Sequence, residues 1–154
     1  LSESLQPSVT VQTGDFDVGA EYAALTHQDT GAGAVVFFVG RVRDMNLDTD
    51  VSALTLEHYP GMTEKALTEI VDEARERWRL LKVRVIHRVG RLTLGDQIVL
   101  VGVTSQHRED AFAAAQFLMD YLKTRAPFWK KEETDLGERW IEALEKDRQA
   151  AKRW

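Results

Sequence analysis

Apolar and polar positions alternate or recur along most of this chain, and the periods assign elements in order. Val9–Gln12 reads as a short strand, and Asp15 or Asp17 is placed to cap a short helix through Tyr22 and Leu25. After the break at Gly31-Ala32-Gly33, the β-branched and aromatic run Ala34–Val39 predicts a buried strand. Leu54, Leu56 and His58 alternate with Thr55, Glu57 and Tyr59, the pattern of a half-buried strand. Pro60-Gly61 turns the chain, with Thr63 the expected N-cap of a helix whose buried face carries Leu67, Ile70, Val71, Ala74 and Trp78. Val83, Val85, His87 and Val89 alternate in a further strand, so His87 is expected to be a satisfied histidine of the core or sheet face. A second buried strand, Ile98–Val103, follows the Gly95-Asp96 turn.

Thr104 or Ser105 then caps a long helix with an apolar stripe at Ala111, Ala115, Leu118, Met119 and Leu122. That helix must stop before Pro127, leaving Phe128 and Trp129 extended and partly buried. Gly137 interrupts a charged amphipathic stretch, and Ala143–Trp154 reads as a closing helix. From residue 34 the order is strand, strand, helix, strand, strand, helix. This predicts an α+β domain in which helices cover a mixed or antiparallel sheet, spanning 9–154 as a single domain after a flexible 1–8.

Composition narrows the chemistry more than the fold. The 154 residues include no cysteine, which removes disulfides, thiolate metal sites and a cysteine nucleophile. A formal charge of −5 argues against a general nucleic-acid binder and makes any anion site a local basic cluster. No apolar run is long enough to span a bilayer, and no signal segment opens the chain, so a cytoplasmic protein is expected. Leu1 in place of Met suggests that the numbering starts after trimming. The four histidines lack metal-ligand spacing, and no phosphate-binding glycine loop, dinucleotide fingerprint or nucleophile elbow is present.

What remains is a set of cations. Lys123 and Lys130 stand seven residues apart on either side of Pro127, so their side chains leave different elements and are free to converge; Lys131 adjoins them. Arg41 and Arg43 share one side of an extended segment, in front of a polar loop from Asp44 to Asp50. His107 and Arg108 sit at a helix N-terminus, where free N–H groups favour an anion. Arginine suits phosphate and carboxylate, and a lysine in a cationic or partly buried pocket gives up its proton more readily. These residues point to an enzyme acting on a phosphorylated or carboxylate substrate; the plainer alternatives are a solvated helix end at the lysines, a solvated strand end at Arg41 and Arg43, and ordinary surface side chains at His107 and Arg108. One geometric difficulty stands out. A nineteen-residue helix is about 28 Å long, so His107 and Lys123 of one molecule can hardly share a compact pocket. Either they belong to different parts of an extended cleft, or a second copy of the chain brings them together, which hints at a homo-oligomer.

The segments VGRVRDMN (39–46), LTLEHYPGMTEKAL (54–67), VIHRVG (85–90), GVTSQHR (102–108) and YLKTRAPFWKKE (121–132) resemble, in the same order, the large catalytic subunit of molybdopterin synthase. The resemblance runs from about Val9 to Trp154. It implies an α/β hammerhead fold and a homodimer within a heterotetramer. The partner it implies is a small ubiquitin-like subunit ending in a Gly-Gly thiocarboxylate. It further implies two sulfur transfers to cyclic pyranopterin monophosphate, forming the dithiolene of molybdopterin, with no metal or other cofactor at this step. By position, Lys123 and Lys130 match the family's catalytic lysines. Arg43, His107 and Arg108 match its substrate-binding region, with Arg41 and Lys131 as second-line candidates. The competing readings are a non-catalytic module that binds a Gly-Gly tail and a Schiff-base lysine lyase.

Overall fold

Each long apolar pattern becomes an element, and the polar intervals between them contribute short strands. A computed structural model describes residues 7–46, 49–141 and 145–154. In chain order the elements are β1 (Val9–Gln12), α1 (Val18–Thr26), β2 (Ala34–Arg41), β3 (Met45–Asn46), β4 (Thr49–His58), α2 (Met62–Arg77) and β5 (Lys82–Arg88). They continue as β6 (Gly90–Thr93), β7 (Gln97–Ser105), α3 (Arg108–Arg125), β8 (Phe128–Thr134), β9 (Gly137–Ile141) and α4 (Glu145–Ala151).

Two sheets result. The first has the order β1-β5-β7-β2, with β1 parallel to β5 and the other pairs antiparallel. The second is antiparallel, β3-β4-β8-β9, with β6 also paired to β4. This is the expected α+β class with a helix-covered sheet. The central strands β5 and β7 are buried on both faces, which explains their unbroken apolar runs. One face packs Val83, Val85, Val99, Val101 and Val103 against Leu67, Ile70 and Val71 of α2 and Ala111, Phe117 and Leu118 of α3. The other face sets Ile86 and Leu100 against Phe16 and Val18 at the start of α1. Gly102 lets β7 pass beneath Phe37, whose ring would stand 2.9 Å from any added Cβ. A smaller core of Val42, Leu54, Leu56 and Leu92 belongs to the second sheet.

Several local expectations change. β2 is an edge strand and only partly buried, with Phe38 42% exposed, because its outer side has no neighbouring strand. Asp17 does cap α1, accepting the Ala20 N–H at 2.9 Å. Thr63 does not cap α2: Gly61 holds that position, and the Glu64 carboxylate accepts the Gly61 N–H at 2.8 Å. Neither Thr104 nor Ser105 caps α3. His107 is at the N-cap, while Thr104 accepts the Lys82 N–H and Ser105 donates to the Arg79 carbonyl.

In the polar stretch after Asp44, β3 pairs antiparallel with the start of β4, and Leu47 and Asp48 lie outside the described residues. Of the segment 1–8, residues 1–6 lie outside them as well. The Pro7 and Ser8 carbonyls accept hydrogen bonds from Arg84 and the Val85 N–H. The closing helix is described from Glu145, and residues 142–144 lie outside. Beyond it, the Trp154 indole donates to the Asp120 carboxylate at 2.6 Å and meets Trp78 and Phe117 edge-on. Among the described residues no helix is long and apolar enough to cross a membrane.

Candidate functional site

Pro127 does what its chemistry dictates. The helix α3 ends at Arg125, Ala126 turns extended, and the chain re-enters the second sheet as β8. Lys123 is therefore carried on the last turn of a helix and Lys130 on a strand. The joint is fixed from α2: the buried Thr63 hydroxyl donates to the Pro127 carbonyl and accepts the Tyr59 N–H, both at 2.9 Å.

β8 is clamped between β4 and β9, with Lys130 opposite Leu56 on one side and Ile141 on the other. Strand alternation puts Phe128, Lys130 and Glu132 on one face and Trp129, Lys131 and Glu133 on the other. The inner face is half-buried at Lys130 and fully buried at Glu132, whose carboxylate is held by Arg139 at 3.0 Å.

Lys130 is held below the ordinary lysine value. Burial is the largest cause and the charge of Lys123 the next, with Asp147 and Glu132 pulling the other way. Lys123 is exposed, and neither ammonium makes an ion pair or hydrogen bond among the described residues. Two like charges brought together without a contacting carboxylate are arranged for an anion.

Behind them lies His87, 5% exposed, its ring stacked on Phe128 with centroids 3.8 Å apart. Its pKa is lowered to about 4, chiefly by burial, with Lys130, Lys123 and His58 acting in the same direction and the Arg88 carbonyl opposing them. The expectation of a buried, satisfied histidine holds, but its neighbours make it part of the lysine site. Its membership of VIHRVG was the one sequence signal for this.

The remaining candidates lie elsewhere on the surface. His107 and Arg108 are exposed at the far end of α3, and Arg108 stands about 22 Å from Lys123 along the helix axis. Arg43 is exposed and makes no ion pair or hydrogen bond among the described residues. Arg41 follows a bulge at the end of β2 and donates to the Gly95 carbonyl at 3.2 Å. Lys131, on the outer face of β8, lies over Trp140 and 3.8 Å from Glu138. One molecule thus unites Lys123 and Lys130, adds His87 and His58, and leaves His107 and Arg108 a helix length away. No group of three or more His, Asp or Glu side chains arranged to hold a metal occurs among the described residues.

Comparison with known proteins gives a consistent result. The family model described as MoaE protein matches residues 11–125. The molybdopterin synthase catalytic subunit of Escherichia coli (strain K12) is 63% identical over 149 residues, covering 97% of this chain and 99% of the relative. The solved structure of a molybdopterin biosynthesis MoaE protein from Burkholderia ambifaria superposes with a TM-score of 0.82 at 53% identity, covering 97% of this chain and 98% of the other. That of molybdopterin synthase from Staphylococcus aureus gives 0.82 at 31% identity, covering 89% and 98%. The chain therefore belongs to the MoaE family, the family of molybdopterin synthase catalytic subunits.

Proposed function

We propose that this chain transfers sulfur from the C-terminal thiocarboxylate of a small ubiquitin-like partner to cyclic pyranopterin monophosphate, building the dithiolene of molybdopterin in two successive transfers. The observation that carries the proposal is the lysine pair, with Lys130 half-buried on β8 and eased toward losing its proton by burial and by Lys123. A thiocarboxylate is an anion and suits two unpaired ammonium groups. A lysine that yields its proton more readily is suited to acid–base or electrostatic work at the attacked carbon. In this reading the exposed Lys123 acts at the attacked carbon, and Lys130, its proton loosened by burial and by the Lys123 charge, supports the same step or holds the substrate.

Arg43, His107 and Arg108, with Arg41 and Lys131 in a lesser role, bind the phosphate and pterin. The helix length between Arg108 and Lys123 is bridged by a second copy of the chain, each copy lending its basic end to the other's lysines. The assembly is a homodimer with a small subunit on each copy, working in the cytoplasm.

The test is to combine the chain with thiocarboxylated partner and the cyclic precursor and to look for dithiolene. Product that depends on Lys123 is expected. No product from well-folded components overturns the reading, and borohydride trapping of a carbonyl substrate on a lysine would replace it with a Schiff-base lyase.

A further inference from the structure

Cations gather at a second place, away from the lysine pair. Lys82 and Arg84 are two residues apart on β5, so both side chains point to the face of the first sheet that α1 covers, and His87 points to the other face. Beside them a cleft of about 510 Å³ opens between β5, the end of α1 and the residues leading into β1. Arg75 of α2 and His27, the C-cap of α1, line it too, and no carboxylate does among the described residues.

Arg84 anchors the cleft. It is 6% exposed, and a guanidinium is costly to bury unless its donors are met. Nε donates to the Glu21 carboxylate at 3.0 Å, and Nη1 donates to the Pro7 carbonyl and the Thr10 hydroxyl, both at 2.7 Å. The N–H groups of Nη2 make no hydrogen bond among the described residues. No fully buried side-chain nitrogen described here lacks a partner, so Nη2 reaches accessible space, and Arg84 lines the cleft. The side chains of His27, Arg75 and Lys82 likewise make no ion pair or hydrogen bond among the described residues. Three positive charges thus converge on one cleft in a chain of formal charge −5, and Glu21 balances one of them.

Guanidinium and ammonium groups together suit a phosphate, whose oxygens accept from several donors at once. The volume lies in the range of small-molecule sites and exceeds what a phosphate alone fills. Pro7, Ala24 and Leu25 add apolar wall to it. We propose that this cleft binds a small organic phosphate monoester: Arg84 Nη2, Lys82 and Arg75 hold the phosphate, His27 donates to it, and the apolar wall packs the organic body. Neither lysine of the pair lines the cleft, and the proposal stands independently of the sulfur-transfer reading.

Phenyl phosphate is the probe, with inorganic phosphate and phenol as its two halves. Each is titrated into the 15N-labelled full-length chain at an ionic strength held constant with chloride, following the amides of residues 24–28 and 82–84 and the Arg84 Nε–H. Phenyl phosphate is expected to shift these signals and to bind about 10-fold tighter than inorganic phosphate, the gain from packing the ring. Lys82 is half-buried and Arg75 exposed, so Lys82→Met and Arg75→Gln test the site without opening the core. Each is expected to weaken phenyl phosphate about 10-fold, the worth of one hydrogen bond between charged groups, and thermal unfolding establishes that both are folded. Lys123→Met is expected to leave the cleft signals and their affinity unchanged. Shifts confined to the surroundings of Lys123 and Lys130, shifts that chloride alone reproduces, or wild-type affinity in both folded cleft variants would overturn the proposal. So would phenyl phosphate binding no tighter than inorganic phosphate.

Discussion

Thr63 and Pro127 are 64 positions apart and joined by a 2.9 Å hydrogen bond from the threonine hydroxyl to the proline carbonyl. The same hydroxyl accepts the Tyr59 N–H, so one fully buried side chain ties α2, the loop after β4 and the joint between the two lysine-bearing elements. Thr63→Val keeps the shape but leaves a donor and an acceptor unsatisfied, at a cost of about 2 kcal/mol or more. Denaturant unfolding should show that loss, and Thr63→Ser should recover most of it. Because the joint aims Lys130, kcat of Thr63→Val should also fall, by about 10-fold if the amine is displaced by a fraction of an ångström.

Removing either lysine tests the site directly. Lys123→Ala and Lys130→Ala should each lose about 10²–10⁴-fold in dithiolene formation, the usual cost of losing a positioned acid–base group. Affinity for the small partner, followed by calorimetry, should hold, because a protein interface is spread over many residues. Near-normal turnover of Lys123→Ala with thiocarboxylated partner would reassign the chemistry.

The lysines should also be coupled in titration. Replacing Lys123 with Met removes a like charge from beside Lys130, so the Lys130 pKa should rise toward 10.5. The recovery should be partial, since burial is the larger cause and remains. The pH dependence of Lys130 acylation, read by peptide mass spectrometry, measures it. A pKa that does not move would mean that the two amines are farther apart than the structure places them.

His87 makes folding stability depend on pH in a defined window. Its folded pKa is about 4 against an ordinary 6.5, so between those values the unfolded chain takes up a proton that the folded chain refuses. Its contribution is therefore full above 6.5, falls as the pH drops toward 4, and changes no further below that. The whole loss is about 3 kcal/mol. Subtracting the His87→Phe stability profile from that of the wild type isolates this slope; parallel profiles between pH 6.5 and 4 would contradict it.

Periodicity made most of the architecture legible. β4, β5, β7, α2 and α3 follow from two simple repeats, because each buries its apolar positions against a packed core, β4 against the smaller one and the others against the larger. The β8–β9 hairpin was hidden behind Lys130-Lys131-Glu132-Glu133, a run that reads as solvated. Glu132 is nonetheless buried, and its pairing with Arg139 of the neighbouring strand helps to make that possible. The lysine pair was legible through Pro127, since a proline between two cations forces them onto different elements. His87 was legible as buried but not as part of the site. The chain leaves the first sheet at β5 and enters the second at β6 across Val89-Gly90, with Gly90 at a φ of 92°, and periodicity does not show which side chains that crossing brings together.

The α3 helix does more than bury an apolar stripe: it is a spacer whose length cannot drift. Successive residues of an α-helix are turned by about 100° and advanced by about 1.5 Å. One residue inserted between Arg108 and Lys123 would keep the exposed surface chemically ordinary yet swing Lys123 away from Lys130. It would also shift either the apolar stripe or the basic N-terminus out of place. Insertions and deletions in the descendants of this chain should therefore gather in the β8–β9 turn and spare α3, even along its solvent side, where single substitutions cost little.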